Sequence, residues 1–377
     1  MRTEQAVKER YAEGAQQQVA DLCCPVDYDP KYLEVIPQEV IERDYGCGDP
    51  SQFLKPGETV LDLGSGTGKI CFIASQVVGK QGKVIGVDMT DDMLEVARKH
   101  APTVAKRIGY DNVSFVKGRI QDLSLDLEAW ETHLKESPIT DANGYLAAEE
   151  LANEWRRKSP AIADGSIDVV VSNCVLNLVS KDQRTQLFRE VNRVLRIGGR
   201  AVISDIVSDD NVPEAMQQNA ELWSGCISGA YREDDFLMAF EEAGFHGVRI
   251  VKREIAPWRT VEGIEFRSVT IEATKDDPSE CLERRQAVIY KGPFKQVADD
   301  DGNVMERGKR YAVCDKTFRK LTSEPYAEAI YGVAPREEVP LEKADLFDCT
   351  KPVRLRMPAE TKGLDFKLTS SSESCCC

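Results

Sequence analysis

The chain begins with a polar stretch of helical character, MRTEQAVKERYAEGA, and from Thr59 settles into short apolar runs alternating with amphipathic ones. The apolar runs are Val60-Leu61-Asp62-Leu63, Val84-Ile85-Gly86-Val87-Asp88, Val113-Ser114-Phe115-Val116, Ile167-Asp168-Val169-Val170-Val171 and Ala201-Val202-Ile203-Ser204. Each has the length and apolar content of a strand. Ahead of the last, Leu187, Val191, Val194 and Leu195 share one helical face, and Gly198-Gly199 are expected to end that helix. Strands alternating with helices predict a parallel sheet flanked by helices.

Around this core the pattern changes. Residues 1–55 read as an N-terminal arm ending in the turn-rich Tyr45-Gly46-Cys47-Gly48-Asp49-Pro50. Residues 56–205 carry the strand–helix alternation, interrupted from Leu123 to about Ala163 by a polar insertion with partial helix and no motif. Residues 206–276 hold a helix from Asp234 to Ala243 closed by Gly244, then strand-like Val248–Val251 and Phe266–Ile271, which are expected to complete the sheet. Residues 277–362 read as a small separate domain in which Gln286–Tyr290 and Lys309–Val313 flank an Asp-Asp-Gly-Asn turn as a hairpin. The last segment, 363–377, reads as a flexible tail ending in Cys375-Cys376-Cys377. The fold class is α/β: a doubly wound, Rossmann-like sheet with a following segment and a small C-terminal α+β domain.

Composition narrows the chemistry. With 64 acidic and 49 basic residues in 377, the formal charge of −15 disfavours a nucleic-acid partner and fits small acceptors better. No apolar run is long enough to span a bilayer and the N-terminus lacks a secretory signal, so a cytoplasmic location without membrane attachment is expected; the chain is also expected to be a monomer. Twelve cysteines in a reducing compartment are then expected to be free thiols: ligands, catalytic groups or small buried apolar residues.

Asp62-Leu63-Gly64-Ser65-Gly66-Thr67-Gly68 follows the first apolar run and leads into a helix, as a loop must where backbone approaches a nucleotide closely. A dinucleotide loop would place its third glycine at 69, where Lys stands; glycines at 64, 66 and 68 are similar to S-adenosylmethionine (SAM) methyltransferases. Asp88 ends the second run twenty residues beyond Gly68, placed to accept ribose hydroxyls, with Met89 beside it. Ile120 and Gln121 follow the third strand as expected adenine neighbours, and Asn173 follows the fourth at the same crevice. Asp122 reads equally well as a helix cap.

Cys71 falls in the first turn of the helix after the glycine loop, where exposed amides favour thiolate, and Cys174 ends the fourth strand. Either alone reads as well as a buried apolar residue; together they place two cysteines on the rim of the cleft. Cys47 and Cys226, each flanked by glycines, read as loop-borne ligands. Cys281, Cys314 and Cys349 read as structural, and Cys23-Cys24 and the terminal triplet as loose thiols binding soft ions adventitiously.

Tyr-Gly-Cys-Gly, Asp-Leu-Gly-Ser-Gly-Thr-Gly-Lys-Ile-Cys, Gly-Val-Asp-Met-Thr, Ser-Asn-Cys-Val-Leu-Asn-Leu-Val and Trp-Ser-Gly-Cys, in that order, resemble the arsenite methyltransferase family, strongly over residues 40 to 275 and loosely beyond. The resemblance implies a SAM-binding Rossmann-like domain at 56–205, an arsenic(III)-binding segment at 206–276, and methyl transfer from SAM to thiol-bound trivalent arsenic. It implies Cys47, Cys71, Cys174 and Cys226 as catalytic, with arsenic held by Cys174 and Cys226. The Cys47 and Cys71 pair enters as a ligand or through a disulfide formed during turnover. It implies SAM bound by Asp62, Gly64, Ser65, Gly66, Gly68, Asp88, Met89, Ile120, Gln121 and Asn173, arsenite and methylarsenite as substrates, and a thiol reductant, glutathione or thioredoxin, as co-substrate. Arsenic(III) is soft and thiophilic, so three thiolates around it as a pyramid leave a lone pair free to attack a methyl group. Histidine is limited to His100, His133 and His246, which suits chemistry without acid–base transfer. Two other readings remain open: methylation of an organic small molecule, and a non-enzymatic thiol site for a metalloid or zinc.

Overall fold

The computed structural model describes residues 3–16, 26–43 and 45–363. Cys23, Cys24 and the tail from 364 to 377 with its terminal cysteines lie outside the described residues.

The chain divides into two units, residues 1–276 and 277–377. In the first, helix α1 (Thr3–Gln16) and the short α2 (Pro30–Leu33) and α3 (Gln38–Glu42) precede the sheet. Then come β1 (Thr59–Leu63), α4 (Lys69–Val78), β2 (Lys83–Asp88), α5 (Asp91–Ile108) and β3 (Val113–Lys117). The strand runs read from the sequence all form strands, because each offers alternate residues to both faces. Leu61 and Leu63 of β1 pack in one fully buried cluster, and Val60 in another with Ile70 and Ala74 of α4. A sheet covered on both sides is the setting in which parallel strands persist.

The insertion is more regular than its polar composition suggests. It forms α6 (Leu127–Glu136) and α7 (Ala142–Lys158), capped by Asp126, which accepts from the N–H groups of Glu128 and Ala129, and by Asp141, which accepts from Gly144 N–H. Trp130 of α6 meets Trp155 of α7 edge-on at 5.4 Å between ring centroids.

After β4 (Ile167–Asn173), α8 (Lys181–Val194) runs directly into β5 (Leu195–Ser208). Gly198-Gly199 therefore do not end the helix. They lie inside β5, where the pairing with β4 slips between Ile167 and Val169, and a Cβ on Gly199 would lie 2.9–3.0 Å from two backbone carbonyls. The remaining elements are α9 (Glu214–Gln217), α10 (Ala220–Ser224), β6 (Tyr231–Arg232), α11 (Glu233–Glu242), β7 (Phe245–Arg253), β8 (Arg259–Val261) and β9 (Ile264–Lys275). The sheet order is β3-β2-β1-β4-β5-β9-β7, parallel through β5, with β9 antiparallel to both neighbours. This is the doubly wound α/β architecture read from the sequence. Strand order reverses at β1 and β4, so a crevice opens beyond their carboxyl ends.

The second unit contains β10 (Leu282–Glu283), β11 (Ala287–Tyr290), β12 (Gln296–Ala298), β13 (Val304–Glu306), β14 (Arg310–Ala312), α12 (Asp315–Leu321), β15 (Ile330–Val333), β16 (Asp345–Leu346) and α13 (Pro358–Lys362). β11 and β14 pair antiparallel, but the turn at 299–303 belongs to a smaller hairpin, β12 with β13, set between them. Its core is Val288, Tyr290, Met305, Tyr311, Val313 and Leu321. Among the described residues no helix is long and apolar enough to cross a membrane.

Candidate active site

Beyond the carboxyl ends of β1 to β4 lies a cleft of about 870 Å³, open to solvent at its mouth. The glycine loop forms one wall. Gly64 and Ser65 donate to Val87 O at 2.8 and 3.0 Å, pinning the loop to β2. Gly64 and Gly66 both have positive φ, and a Cβ on Gly64 would lie 2.5 Å from Val175, so any larger residue would close the passage between loop and β4. Asp88 faces the loop: its Oδ2 accepts from Gly66 N at 2.9 Å and its Oδ1 from Thr90 N at 2.8 Å. The carboxylate also lines the cleft, where a vicinal diol can reach it. Burial raises the Asp88 pKa against those hydrogen bonds. Met89, Gly118, Ile120 and Gln121 continue the lining, and the Gln121 amide meets that of Gln183 at 2.9 Å. Glycines where backbone must approach, an acid at a strand end and an apolar slot beyond it fit the nucleoside of SAM.

Four residues expected at that nucleoside stand behind the lining. Asp62 is buried beneath the loop, accepting from the Cys71 thiol at 3.2 Å. Ser65 turns its hydroxyl inward, toward Gly86 and Cys71. Gly68 starts α4 at a positive φ, against Phe115. Asn173 is turned to the Cys47 loop. Its Oδ1 accepts from the backbone N–H groups of Cys47 (2.9 Å) and Gly48 (3.1 Å), and its Nδ2 donates to Gly48 O at 2.8 Å. The β4 terminus thus clamps the Cys47 turn, and only glycine fits beside Cys47: a Cβ on Gly46 would lie 2.2 Å from Asn173, and on Gly48 2.7 Å from Ser204.

The clamp brings three sulfurs together. The Cys174 thiol is within hydrogen-bonding reach of the thiols of both Cys226 and Cys47, and Cys226 Sγ donates to Cys174 O at 3.3 Å. All three cysteines are buried in one apolar cluster with Trp223, Ile206 and Phe266, and Cys174 also lines the cleft. Cys174 and Cys226 have φ of 64° and 60°, making them two of the four non-glycine residues with positive φ among the described residues. Such a conformation costs on the order of 1–3 kcal/mol and persists only where surroundings enforce it. Here Cys174 N–H donates to Ser204 O, Cys226 N–H to Trp223 O, and the Trp223 indole to Leu178 O.

Cys71 is not in this group. It is fully buried on α4 among Val60, Ile70, Ala74 and Val169, donating to Asp62. Its place in the first helical turn faces it into the sheet rather than over the loop, so the expectation that Cys71 and Cys174 share the cleft rim is corrected.

Two participants were missed in the sequence. Tyr11, from α1, lines the cleft and hydrogen-bonds the Cys226 thiol. α1 is tied to the elements bearing both loop cysteines: Arg10 donates to Glu221 O and Ser224 Oγ of α10, and Tyr45 donates to Gly14 O. Nothing in an amphipathic helix marks one tyrosine for such a position. Asp205 places a carboxylate oxygen within 4.8 Å of the Cys47 and Cys174 sulfurs. It could have been found, because it lies on the strand next to Cys174 near the same sheet edge.

Burial and close sulfur neighbours favour the protonated form of two of these thiols. The Cys174 pKa is raised well above the ordinary thiol value by hydrogen bonds to Cys226 and Cys47 and by burial. Burial raises Cys47 too, and lifts Asp205 to about 6 although the N–H groups of Leu176, Asn177 and Ile206 bond its carboxylate. Cys47 and Cys174 are thereby favoured as neutral thiols in the free site.

A family described as a methyltransferase domain matches residues 54–133 and 151–244, and one described as a domain of unknown function matches 277–366. The chain is 33% identical to an arsenite methyltransferase of Aquipseudomonas alcaligenes, over 81% of this chain and 82% of that protein. It is 30% identical to the arsenite methyltransferase of Mus musculus, over 78% and 72%. The fold matches the crystal structure of an arsenic(III) S-adenosylmethionine methyltransferase from Chlamydomonas reinhardtii with a TM-score of 0.55 and 27% identity, covering 86% of this chain and all of that one.

Proposed function

The chain belongs to the arsenite methyltransferase family, and from that premise we propose that Cys47, Cys174 and Cys226 together hold the arsenic. The activity itself is transfer of the methyl group of SAM to arsenite. One observation carries the assignment of residues: three thiols from distant segments meet in one buried cluster whose middle member, Cys174, also lines the nucleoside cleft.

SAM, when bound, supplies an electrophilic methyl group on a sulfonium sulfur. Gly64 and Gly66 admit its backbone-contacting portion, Asp88 accepts its ribose hydroxyls, and Met89, Ile120 and Gln121 flank its adenine. In loading, arsenite exchanges its three hydroxyls for three sulfurs, each hydroxyl leaving as water with the thiol's proton. Three sulfurs on one side of arsenic leave its lone pair opposite them. The positive-φ backbone at Cys174 and Cys226, the Asn173 clamp and the Tyr11 contact fix those sulfurs before substrate arrives, and such positioning can supply about 7–11 kcal/mol of a barrier.

Cys71 takes no part in loading. Methyl transfer expels S-adenosylhomocysteine and raises arsenic from trivalent to pentavalent, and its return to the trivalent state takes two electrons from thiols that become a disulfide; Cys71 and the thiol reductant, glutathione or thioredoxin, enter at that step. Residues 56–205 serve SAM and 206–276, with the arm at 1–55, serve arsenic. The enzyme works in the cytoplasm, where thiols stay reduced, as a monomer and without nucleic acid or membrane.

The test is methyl transfer from labelled SAM to arsenite, with arsenic species separated, in Cys174→Ser and Cys226→Ser. Serine keeps the shape but binds soft arsenic poorly. Each variant is expected to lose at least a hundredfold in methylation and to bind SAM as before; full activity in either overturns the assignment.

A further inference from the structure

Among the described residues one cluster of three thiols has all its sulfurs within 4.8 Å of one another, and it lies in the second unit; at the active site Cys47 and Cys174 form such a group with Asp205, and Cys226 joins through Cys174. Cys281 immediately precedes β10, Cys349 follows β16, and Cys314 caps the N-terminus of α12. β10 and β16 pair antiparallel, Leu282 opposite Leu346, and the Phe347 N–H donates to Cys281 O at 2.7 Å, which carries the chain around to Cys349. Cys314 is set against them by its cap: its sulfur accepts from Thr317 N at 3.4 Å and meets Thr317 Oγ1 at 3.1 Å. The three sulfurs all lie within 4.8 Å of one another, at the edge of a cavity of about 1310 Å³ lined also by Lys316, Phe347 and Val353. Cys314 is buried, Cys281 partly so, and Cys349 exposed, so the cluster is supported from beneath and reached from solvent.

We propose that this cluster is a second arsenic(III) site, separate from the one that performs methyl transfer. Thiols spaced within 4.8 Å lie at most about 2.8 Å from a common centre, and closing on an ion with bonds of about 2.3 Å, the zinc–thiolate length, needs about half an ångström from each. The coordination number decides the occupant. A structural zinc site takes four protein ligands; Glu283, Asp301 and Asp348 line the same cavity, but among the described residues no fourth cysteine, histidine or carboxylate atom lies within 4.8 Å of all three sulfurs. Trivalent arsenic bonds three sulfurs and keeps its lone pair in the fourth direction. Loading balances without a redox partner: three As–O bonds break and three As–S bonds form. Each departing hydroxyl takes the hydrogen of one thiol, giving three waters. The sequence showed none of this, since 281, 314 and 349 are too widely spaced for any metal motif.

The test uses the full chain with Cys23, Cys24, Cys174, Cys226, Cys375, Cys376 and Cys377 replaced by serine, which removes the active-site cluster and the loose thiols. The protein is loaded with arsenite under glutathione, desalted, and examined for arsenic content and for sulfur neighbours at the arsenic absorption edge. About one arsenic per chain bound to three sulfurs is expected, and a further Cys349→Ser or Cys314→Ser should cut retention at least tenfold. Cys349 is exposed, so its replacement carries the result if Cys314→Ser fails to fold. Retention unchanged by Cys349→Ser, arsenic with fewer than three sulfur neighbours, or a stoichiometric zinc ion at these thiols in the purified protein would each overturn the proposal. In the otherwise unaltered chain, Cys349→Ser is expected to methylate arsenite within about twofold of normal. Loss of methylation there would overturn the separateness of the two sites, whereas failure of the active-site assignment would leave the retention result standing.

Discussion

The nucleoside cleft and the thiol cluster meet at Cys174, yet they are held in place by different means. The cleft is made of residues close in sequence to the ends of parallel strands: a glycine loop pinned to β2, an acid on the last residue of β2, and a short lining after β3. The cluster is made of three loops from distant parts of the chain. Backbone at positive φ, a side-chain clamp from Asn173 and a helix from the N-terminal arm hold it together. One half is a consequence of fold topology and the other is an assembly. The first should tolerate changes in the second.

Breaking one half at a time sharpens this contrast. Asn173→Ala leaves the N–H groups of Cys47 and Gly48 without their partner in a buried place, at about 1–3 kcal/mol for each unsatisfied group. It is expected to lower kcat/KM for arsenite between tenfold and a hundredfold while the Kd for SAM stays within twofold. Asp88→Ala should do the reverse, weakening SAM about tenfold and leaving arsenite retention intact. Steady-state kinetics with direct binding of each substrate checks both, and a joint loss in either variant would blur the division.

A smaller effect probes the strain. At a positive φ a residue with a Cβ is disfavoured by roughly 1–2 kcal/mol relative to glycine. Cys174→Gly and Cys174→Ala should both be inactive, yet the glycine variant should be the more stable by about 1 kcal/mol, against the usual advantage of alanine. Denaturant unfolding measures this; an alanine variant at least as stable would show that the backbone at 174 is not strained.

The same contrast explains what could be read in advance. Strands, glycine loop and Asp88 were legible because their signals are local: apolar runs, a spacing of glycines, an acid twenty residues on. Cys174 was legible through its strand end and Cys226 through its flanking glycines, but their mutual contact was not, since no local pattern encodes the approach of segments 52 residues apart. Asn173 was read at the cofactor crevice, and in the structure its amide bonds the Cys47 turn, because the crevice rule gives a residue's location and not which groups its side chain meets. Cys71 failed for a related reason: position in the first helical turn is readable, but not that this turn's face is pressed against β1 and β4. Gly198-Gly199 imitated a helix stop because a strand bulge and a C-cap ask for the same left-handed backbone. The insertion was read as only partly helical because its two helices bury little: of their residues only Ala152 is buried.

The central claim is that Cys47, and not Cys71, completes the sulfur set around arsenic. It is tested most directly in a chain whose cysteines outside positions 47, 71, 174 and 226 are all serine, by measuring arsenic retained per molecule after arsenite loading and desalting. The predicted result is one arsenic per chain, kept in Cys71→Ser and lost in Cys47→Ser. Retention in Cys47→Ser together with loss in Cys71→Ser would contradict it.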